Sequence, residues 1–301
     1  MTPAISVVIP CYRQAHFLAE ALASVAAQTL PPTEIVVVDH ASPDQVESVV
    51  RRFPAVRHVR AATTEGVSAA RNRGMAACSG EYLVFLDADD RLLPNAFAFG
   101  ARALAARPEA GFVWGRRRLI DSAGKIIPAV PKVHLGEASY EDLLRENLVG
   151  PPVCAMFRRS VVAELGGFGG GLRGAEDYDL YLRVARIAPA VGHGDLVAEY
   201  RIHPASMSAD PRAMLLAALA VLERHKPWVA QDARLGRALA AGMRLVRRTY
   251  DGEQRLAGVQ RAVRSRRWAE AVRAGVVLAY RYPGLLFPVL LRRIGRGLVR
   301  S

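Results

Sequence analysis

Three carboxylates follow an apolar run in residues 84–90, which read Val-Phe-Leu-Asp-Ala-Asp-Asp. The side chains of Asp87, Asp89 and Asp90 would repel one another at this spacing unless a cation offset their charge, and oxygen ligands of this kind suit Mg²⁺ or Mn²⁺. These ions are commonly held by one or two carboxylates together with substrate phosphates, so the run predicts a substrate that carries a diphosphate. The alternative is a solvated acidic turn before the helix that Pro94 would start.

A second acidic pair, Glu176 and Asp177, follows a glycine-rich loop at residues 166–174 and opens a helical pattern. A carboxylate at this place would favour the helix dipole without doing any chemistry. It could equally act as the general base that removes a proton from an attacking hydroxyl. Hydrolysis by two carboxylates is a further alternative, but the diphosphate expected from the first cluster favours a phosphorylated leaving group.

The common phosphate-binding loops are missing from the sequence. The first predicted strand is followed by Cys-Tyr-Arg-Gln at residues 11–14 instead of GxGxxG, which argues against a dinucleotide-dependent oxidoreductase. No P-loop motif, GxxxxGKS or GxxxxGKT, occurs either. A disulfide framework is also excluded, because Cys11, Cys78 and Cys154 are odd in number and far apart. We expect them to be buried in a protein from a reducing compartment.

The elements that must position these residues alternate between short β-branched runs and helical patterns. The predicted strands cover residues 5–9, 35–38, 56–59, 82–86 and 112–115, and the predicted helices cover 17–28, 44–52, 67–78, 94–106, 158–165 and 177–187. This order predicts an α/β fold with a mostly parallel sheet flanked by helices. Polar clusters at residues 10–12, 39–40 and 87–90 follow strands, so they should meet at the edge where parallel sheets bind ligands.

Five motifs, taken together, resemble those of the family 2 glycosyltransferases in their order and spacing. They are SVVIPCY at 6–12, EIVVVD at 34–39, GVSAARN at 66–72, FLDADD at 85–90, and Gly-Gly-Phe at 166–168 followed by Glu-Asp at 176–177. The resemblance spans roughly residues 4–208. It implies a Rossmann-like GT-A fold and an inverting transfer of a sugar from a nucleotide-diphosphate donor to an acceptor hydroxyl, with Mn²⁺ or Mg²⁺ as the cofactor.

Position by position, the resemblance also implies a role for individual residues. Asp177 would be the catalytic base with Glu176 beside it, and Asp89 and His203 would lie at the metal. The donor would be bound by Pro10, Tyr12, Asp39, Arg71, Asp87 and Arg201. Many members of the family carry a second carboxylate where this chain has His40, so UDP, dTDP and GDP donors all stay open.

Charge divides the sequence into two predicted domains, residues 1–211 and 212–301. The first holds 22 Lys and Arg against 23 Asp and Glu, whereas the second holds 19 against 5. The second is predicted to be a helical, Arg-rich extension attracted to an anionic partner. Because no nucleic-acid-binding motif accompanies the charge, an anionic membrane surface is favoured. Residues 280–293 place aromatics and leucines among arginines and are expected to lie in the membrane interface, unless the helices pack on the catalytic domain instead.

These observations predict a cytoplasmic enzyme bound peripherally at the inner face of the plasma membrane. No secretory signal is readable at the N-terminus, and no apolar window is long enough to span a bilayer. The expected acceptor is a glycan or a lipid-linked molecule in polysaccharide or glycolipid assembly. Two alternatives are a nucleotidyltransferase that makes a nucleotide-sugar and a non-catalytic scaffold that binds one. Metal-dependent release of a nucleoside diphosphate separates the transferase from both.

Overall fold

The computed structural model describes residues 2–129 and 133–282, and the chain divides into two compact units. The first comprises residues up to Ser206, and the second begins at Met207. The first is an α/β unit built on one sheet, and the second is helical in its described part. Residues 283–293 of the predicted interfacial segment lie outside the described residues.

Four parallel strands form one half of the sheet, in the order β3-β2-β1-β4. Every residue of the first strand is buried, as a parallel sheet covered on both faces requires. The crossovers are helical, which confirms the predicted α/β fold. The strands are β1 Ile5–Cys11, β2 Glu34–His40, β3 Val56–Ala61 and β4 Tyr82–Phe85, and the helices are α1 Ala15–Ala26, α2 Val46–Val50 and α3 Val67–Ala76.

The other half makes the sheet mixed, where the sequence predicted mostly parallel strands. Strand β9 (Ala155–Arg158) runs antiparallel between β4 and β6 (Phe112–Ile120), and β10 (Ala190–Arg201) pairs in parallel with β6. Neither β9 nor β10 was predicted, because β9 merges into the helical pattern that follows it and β10 is interrupted by glycines. Short strands add to this half: β5 Arg91–Leu92, β7 Ile126–Ile127 and β8 Gly136–Ala138.

Helix α3 lies directly against the sheet. A Cβ atom added to Gly74 would fall 2.3 Å from Cγ1 of Val8 in β1, so a larger residue would push the helix away. Arg71, one helical turn earlier, is only 4% exposed. The close approach at Gly74 therefore carries a long cationic side chain beneath the strand ends. The remaining helices of this unit are α4 Ala96–Ala106, α5 Tyr140–Arg145, α6 Arg159–Glu164 and α7 Glu176–Ala185.

All three cysteines are buried with free thiols, as the sequence predicted. Burial raises the pKa of Cys11 and of Cys154 to about 12, and that of Cys78 to about 11. Their contribution is to packing in the core.

The described part of the second unit is helical, and two of its helices begin at an aspartate cap. The caps are Asp210 and Asp232, each accepting two backbone N–H groups of the first turn. No helix within residues 2–129 and 133–282 has the length and apolar character needed to cross a membrane. The helices are α8 Pro211–Arg224, α9 Lys226–Val229, α10 Ala233–Arg247, α11 Glu253–Arg264 and α12 Trp268–Arg281, with a π-helical turn at Arg248–Gly252.

Candidate active site

The ends of β1 and β2 form one wall of the candidate site. The two strands pair in parallel, so that Pro10 lies beside Val38 and the Asp39 carboxylate follows at the sheet edge. One carboxylate oxygen of Asp39 accepts a hydrogen bond from the backbone N–H of Ser42 at 2.8 Å. Next to it, the ring of Tyr12 stacks on the ring of His40, with centroids 5.1 Å apart. The predicted nucleoside-binding residues Pro10, Tyr12 and Asp39 are thus brought to one edge.

His40 stands in this wall with an unsatisfied nitrogen. Its residue is 7% exposed, and Nδ1 is buried with no hydrogen-bond partner among the described residues. Burial lowers the pKa of the imidazole, and the nearby charge of Arg71 lowers it further against the opposing effect of Asp39. A neutral histidine therefore occupies the place where many members of the resembled family carry a second carboxylate.

The turn after β4, residues 87–90, is called the DxDD turn, and it points its three carboxylates to three different partners. Asp87 pairs with Nη2 of Arg71 at 2.6 Å. Oδ2 of Asp89 lies 3.0 Å from Nε2 of His203. Asp90 faces inward, is 1% exposed, and accepts a hydrogen bond from a backbone N–H at the end of β10. Only the first two carboxylates are therefore placed to meet a ligand.

The electrostatics of the DxDD turn favour a cation. Burial raises the pKa of Asp89, and the like charge of Asp87 raises it further, while His203 opposes the shift. The pKa of Asp90 is raised well above its usual range by burial and by the other two carboxylates. A divalent ion would offset this repulsion. No group of three metal-ligating side chains comes together in the described part of the chain, so Asp89 and His203 fit an ion that substrate phosphates would complete.

Arg201, predicted to bind the donor, is instead occupied by protein groups. Its side chain is completely buried, and the guanidinium carbon lies 4.6 Å from the ring centroid of Phe17. Each of its three guanidinium nitrogens donates to a protein oxygen, which a residue free to bind a ligand would not do. The acceptors are the backbone carbonyls of Asp89, Asp121 and Ser122 and the carboxylate of Glu20. Arg201 therefore fixes the backbone of the DxDD turn.

Arg71 connects the DxDD turn electrostatically to the second acidic cluster. Its guanidinium carbon lies 5.1 Å from the ring centroid of Phe168, and its Nε has no partner among the described residues. Although burial opposes the charge, the carboxylates of Asp87, Asp177 and Glu176 raise the pKa of Arg71. One buried cation thus acts on the predicted donor-binding aspartate and on the predicted base.

Asp177 begins helix α7 in a segment that is called the α7 start, residues 174–178. Its carboxylate accepts only the N–H of Tyr178 among the described hydrogen bonds, at 2.9 Å, and part of its surface stays exposed. The protein around it raises the pKa of Asp177 to about 6, mainly by desolvation, with like charges adding and the charge of Arg71 opposing. A carboxylate with this pKa can take up a proton near neutral pH.

The α7 start is held by a strained turn and by Glu176. Ala175 adopts a left-handed conformation with φ +57°, which costs a residue with a Cβ atom about 1–2 kcal/mol. Glu176, predicted to share catalysis, is 6% exposed and accepts the N–H of Gly174 at 2.7 Å. Its hydrogen bond closes the turn that presents Asp177, so Glu176 has a positioning role in this structure.

The glycine-rich loop before α7 is held by Asn72, which the sequence named only as part of a motif, and by Arg183, which lies outside the motifs. Asn72 donates to the carbonyl of Phe168 at 2.9 Å and accepts the N–H of the same residue at 2.7 Å. Arg183 pairs with the fully buried Asp179 and donates to the carbonyl of Gly167 at 2.7 Å. These contacts tie helix α3 and helix α7 to the loop, and so keep Arg71 and Asp177 in register.

Arg117 is a further candidate ligand-binding residue. The sequence offered residues 116–118 only as a group, either as a solvated strand end or as a contact for an acceptor phosphate. Arg117 is the middle of three consecutive arginines on β6, and its two neighbours donate to protein oxygens of β10. The side chain of Arg117 points to the other face, where a Cβ atom on Gly150 would fall 2.2 Å from its Nη1. It also contacts the thiol of Cys154. Strand alternation could have separated Arg117 from its neighbours, had the length of β6 been known.

The sheet of the first unit and its flanking helices have the fold of GT-A glycosyltransferase structures. The family follows from the sequence, because the profile of glycosyl transferase family 2 matches residues 6–166. The chain belongs to this family, and the family and fold predicted from the motifs are confirmed.

Three named proteins are similar to this chain, one in sequence and two in structure. The O-antigen biosynthesis protein RfbC of Myxococcus xanthus is 34% identical over 199 residues, which are 64% of this chain and 15% of that protein. TarS 1–349 of S. aureus, in complex with UDP-GlcNAc, superposes with a TM-score of 0.60 at 18% identity, covering 92% of this chain and 91% of its own. The mannosyltransferase PcManGT of Pyrobaculum calidifontis, in complex with GDP-Man and Mn²⁺, gives 0.61 at 21%, covering 94% and 88%.

The sequence relatives are longer than the region they share with this chain. Three of the curated relatives are matched over 15%, 24% and 61% of their own lengths. The family profile spans residues 6–166, which include the DxDD turn and end before the α7 start.

Proposed function

We propose that the protein is an inverting, metal-dependent glycosyltransferase that moves a sugar from a nucleotide-diphosphate donor to an acceptor hydroxyl. The observation that carries the proposal is the coupling of two acidic clusters through Arg71. The DxDD turn offers Asp89 and His203 to a cation and its phosphates, and the α7 start offers a partly exposed carboxylate whose pKa is about 6.

Residues at the sheet edge bind the donor in this proposal. Tyr12 and Asp39 line the wall for the nucleoside, and His40 supports the ring of Tyr12 by stacking against it. Asp87 is held by Arg71 in a fixed orientation beside the sugar-nucleotide. A divalent cation bound at Asp89 and His203 would neutralise the charge that develops on the departing nucleoside diphosphate.

The acceptor side belongs to Asp177. In its ionised form the carboxylate removes the proton of the acceptor hydroxyl as that oxygen attacks the anomeric carbon of the donor. The bond between that carbon and the diphosphate oxygen breaks in the same step, so the configuration inverts and no enzyme–sugar bond forms. Arg71 favours the ionised form of Asp177, whereas burial favours the protonated form, and this balance keeps the pKa close to neutrality.

Related proteins support the proposed class of substrate. The name of RfbC refers to O-antigen biosynthesis, and the two structural neighbours were solved with UDP-GlcNAc and with GDP-Man and Mn²⁺. We therefore propose a role in polysaccharide or glycolipid assembly, with a glycan or lipid-linked acceptor. The basic second unit supports a peripheral location at the cytoplasmic face of the plasma membrane.

A thermal-shift panel tests the donor site directly. UDP, GDP, dTDP and their sugars are added with Mn²⁺, with Mg²⁺ or with EDTA, because a ligand that binds only the folded state raises its Tm. We expect a metal-dependent shift for one nucleotide, and the same nucleotide should then be released from its sugar when an acceptor is present. Release of pyrophosphate from a nucleoside triphosphate would point to a nucleotidyltransferase, and binding without any turnover would point to a scaffold.

A further inference from the structure

Helix α12 exposes a row of large apolar side chains that nothing in the described structure covers. Trp268, Val272, Val276 and Tyr280, called the α12 stripe, recur at every fourth residue and so follow one another along one face of the helix. They are 61%, 64%, 64% and 88% exposed, respectively. At a rise of about 1.5 Å per residue, the stripe is about 18 Å long.

The opposite face of α12 already has a partner. Ala271 is 6% exposed and Leu278 is fully buried, and this face packs on helix α11, where Ala262 is 1% exposed. The face of α12 that packs into the unit is therefore a different one, and the α12 stripe lies on the other side of the helix. It is a second apolar surface on the outside of the described helices, and exposed apolar patches of this kind mark interaction sites.

The charges around the α12 stripe identify the kind of partner that it fits. The sequence from residue 212 onward carries 19 Lys and Arg against 5 Asp and Glu. Arg273 lies beside the stripe and has no ion-pair partner among the described residues, while Glu270 is neutralised by Arg267 at 2.8 Å. A second copy of this chain would bring the same positive charge, which repels, whereas an anionic surface would attract it.

We propose that the α12 stripe is a contact surface for an anionic lipid bilayer. Val272 and Val276 enter the boundary of the acyl chains, and Trp268 and Tyr280, at the two ends, take the headgroup level that aromatic side chains prefer. Arg273 meets lipid phosphates at the edge of the stripe. The inference deepens the proposed membrane association, but it rests on the surface of α12 and so stands or falls separately from the transferase activity.

Vesicle sedimentation of the full chain tests the surface. Vesicles of phosphatidylcholine alone are compared with vesicles that also contain phosphatidylglycerol, and the stripe is broken by Val272→Asp together with Val276→Asp. The matched control is Met207→Asp together with Leu216→Asp, which are 53% and 61% exposed in the same unit and change the charge equally. We expect the wild type to bind the anionic vesicles, the stripe variant to lose at least about tenfold in partition, and the control to bind as the wild type does.

Tryptophan emission locates the contact on the helix. Trp114 is buried, and Trp228 lies on α9, whereas Trp268 lies on the α12 stripe. A contact made through the stripe should therefore give a blue shift that comes mainly from Trp268. Trp268→Phe should remove most of that shift while vesicle binding persists.

Equal sedimentation of the stripe variant and the wild type, or no binding of the wild type, would overturn the proposal. So would self-association that only the stripe variant loses, since it would assign the surface to a second copy. Nucleoside diphosphate release, measured in the same preparations, reports on the transferase activity independently.

Discussion

The DxDD turn and the α7 start are both acidic and both interact electrostatically with Arg71, but their surroundings suit them to different chemical roles. In the DxDD turn, Asp87 and Asp89 each have a cationic or imidazole partner, and like charges lie close together. At the α7 start, the Asp177 carboxylate accepts a single described hydrogen bond and is raised in pKa to about 6. Carboxylates that converge on one turn suit a metal ion, whereas a desolvated carboxylate with a pKa near 6 suits the transfer of a proton.

The comparison also teaches how little of each cluster acts directly. Asp90 and Glu176 are the most deeply buried acidic residues of their respective clusters, and each accepts a backbone N–H. They shape the turns that present Asp89 and Asp177. In each segment one carboxylate is therefore committed to the fold, and its neighbour is left for the chemistry.

We expect the largest effect from Asp177→Asn, which removes the ionisable carboxylate of the α7 start. The amide keeps the shape of the side chain but cannot accept a proton, so we expect kcat to fall by about 10²–10⁴-fold, the contribution typical of a general base. Donor-induced Tm shifts should persist, because the DxDD turn is untouched. Glu164→Gln, at an exposed position on α6, is the control. Near-normal turnover of Asp177→Asn would remove the assignment of the base.

Asp89→Asn should weaken the predicted cation site of the DxDD turn and leave the predicted base intact. Losing one of two protein ligands weakens the cation site, and we expect a loss of about 10²-fold in kcat/KM together with loss of the metal-dependent part of the donor Tm shift. The measurement is a titration of Mn²⁺ at fixed donor concentration. Asp195→Asn, outside the site, should behave as the wild type. A variant that keeps its full response to Mn²⁺ would show that the cation binds elsewhere.

The pH dependence of kcat/KM sharpens the comparison. The pKa of Asp177 in the folded protein is raised from 3.8 to about 6, so the fraction of ionised base falls as the pH drops through that value. We expect kcat/KM to decline about tenfold per pH unit below about 6 and to level off above it. The residual activity of Asp177→Asn should lack this limb. An unchanged limb in that variant would assign the titration to another group.

Ala175→Gly should have the smallest effect. Glycine adopts the left-handed conformation of residue 175 without the cost that a Cβ atom brings, while its greater freedom in the unfolded chain offsets part of the gain. We therefore expect the free energy of unfolding to rise by about 0.5–1 kcal/mol, as measured by urea denaturation. A fall in kcat with this gain in stability would show that the strained turn holds Asp177 in position, and unchanged kcat would show that the hydrogen bond of Glu176 suffices.

Local patterns predicted the first half of the sheet well, because β1, β2 and β4 contain buried apolar runs and the β-branched residues of β3 lie between helical segments. Strands β9 and β10 were missed for physical reasons. Four residues of β9 continue directly into α6, so periodicity cannot separate them, and β10 is held by pairing with β6 rather than by its own composition. The mixed character of the sheet depends on these distant pairings.

The candidate site, too, could be predicted only in part from the sequence. The motifs identified Asp89, His203 and Asp177, and their roles at the metal and as the base stay predictions. The structure adds that Asp89 and His203 are hydrogen-bond partners. Arg201 shows the limit, because a sequence gives the charge of a side chain but not the acceptors that surround it once it is buried. The ion pair of Arg71 with Asp87 was also not predicted, because the order of motifs along a sequence does not give the distance between two side chains in the fold.

The three buried cysteines have a practical consequence for labelling. With pKa values of about 11 and 12, almost none of the thiol groups is ionised at neutral pH, and the thiolate is the reactive form. The folded chain should therefore react slowly with maleimides without any removal of its native cysteines. A single cysteine introduced at the exposed position Val276 would become the preferred site for a fluorophore or spin label, so the depth of that helix in a bilayer could be measured in the otherwise native protein.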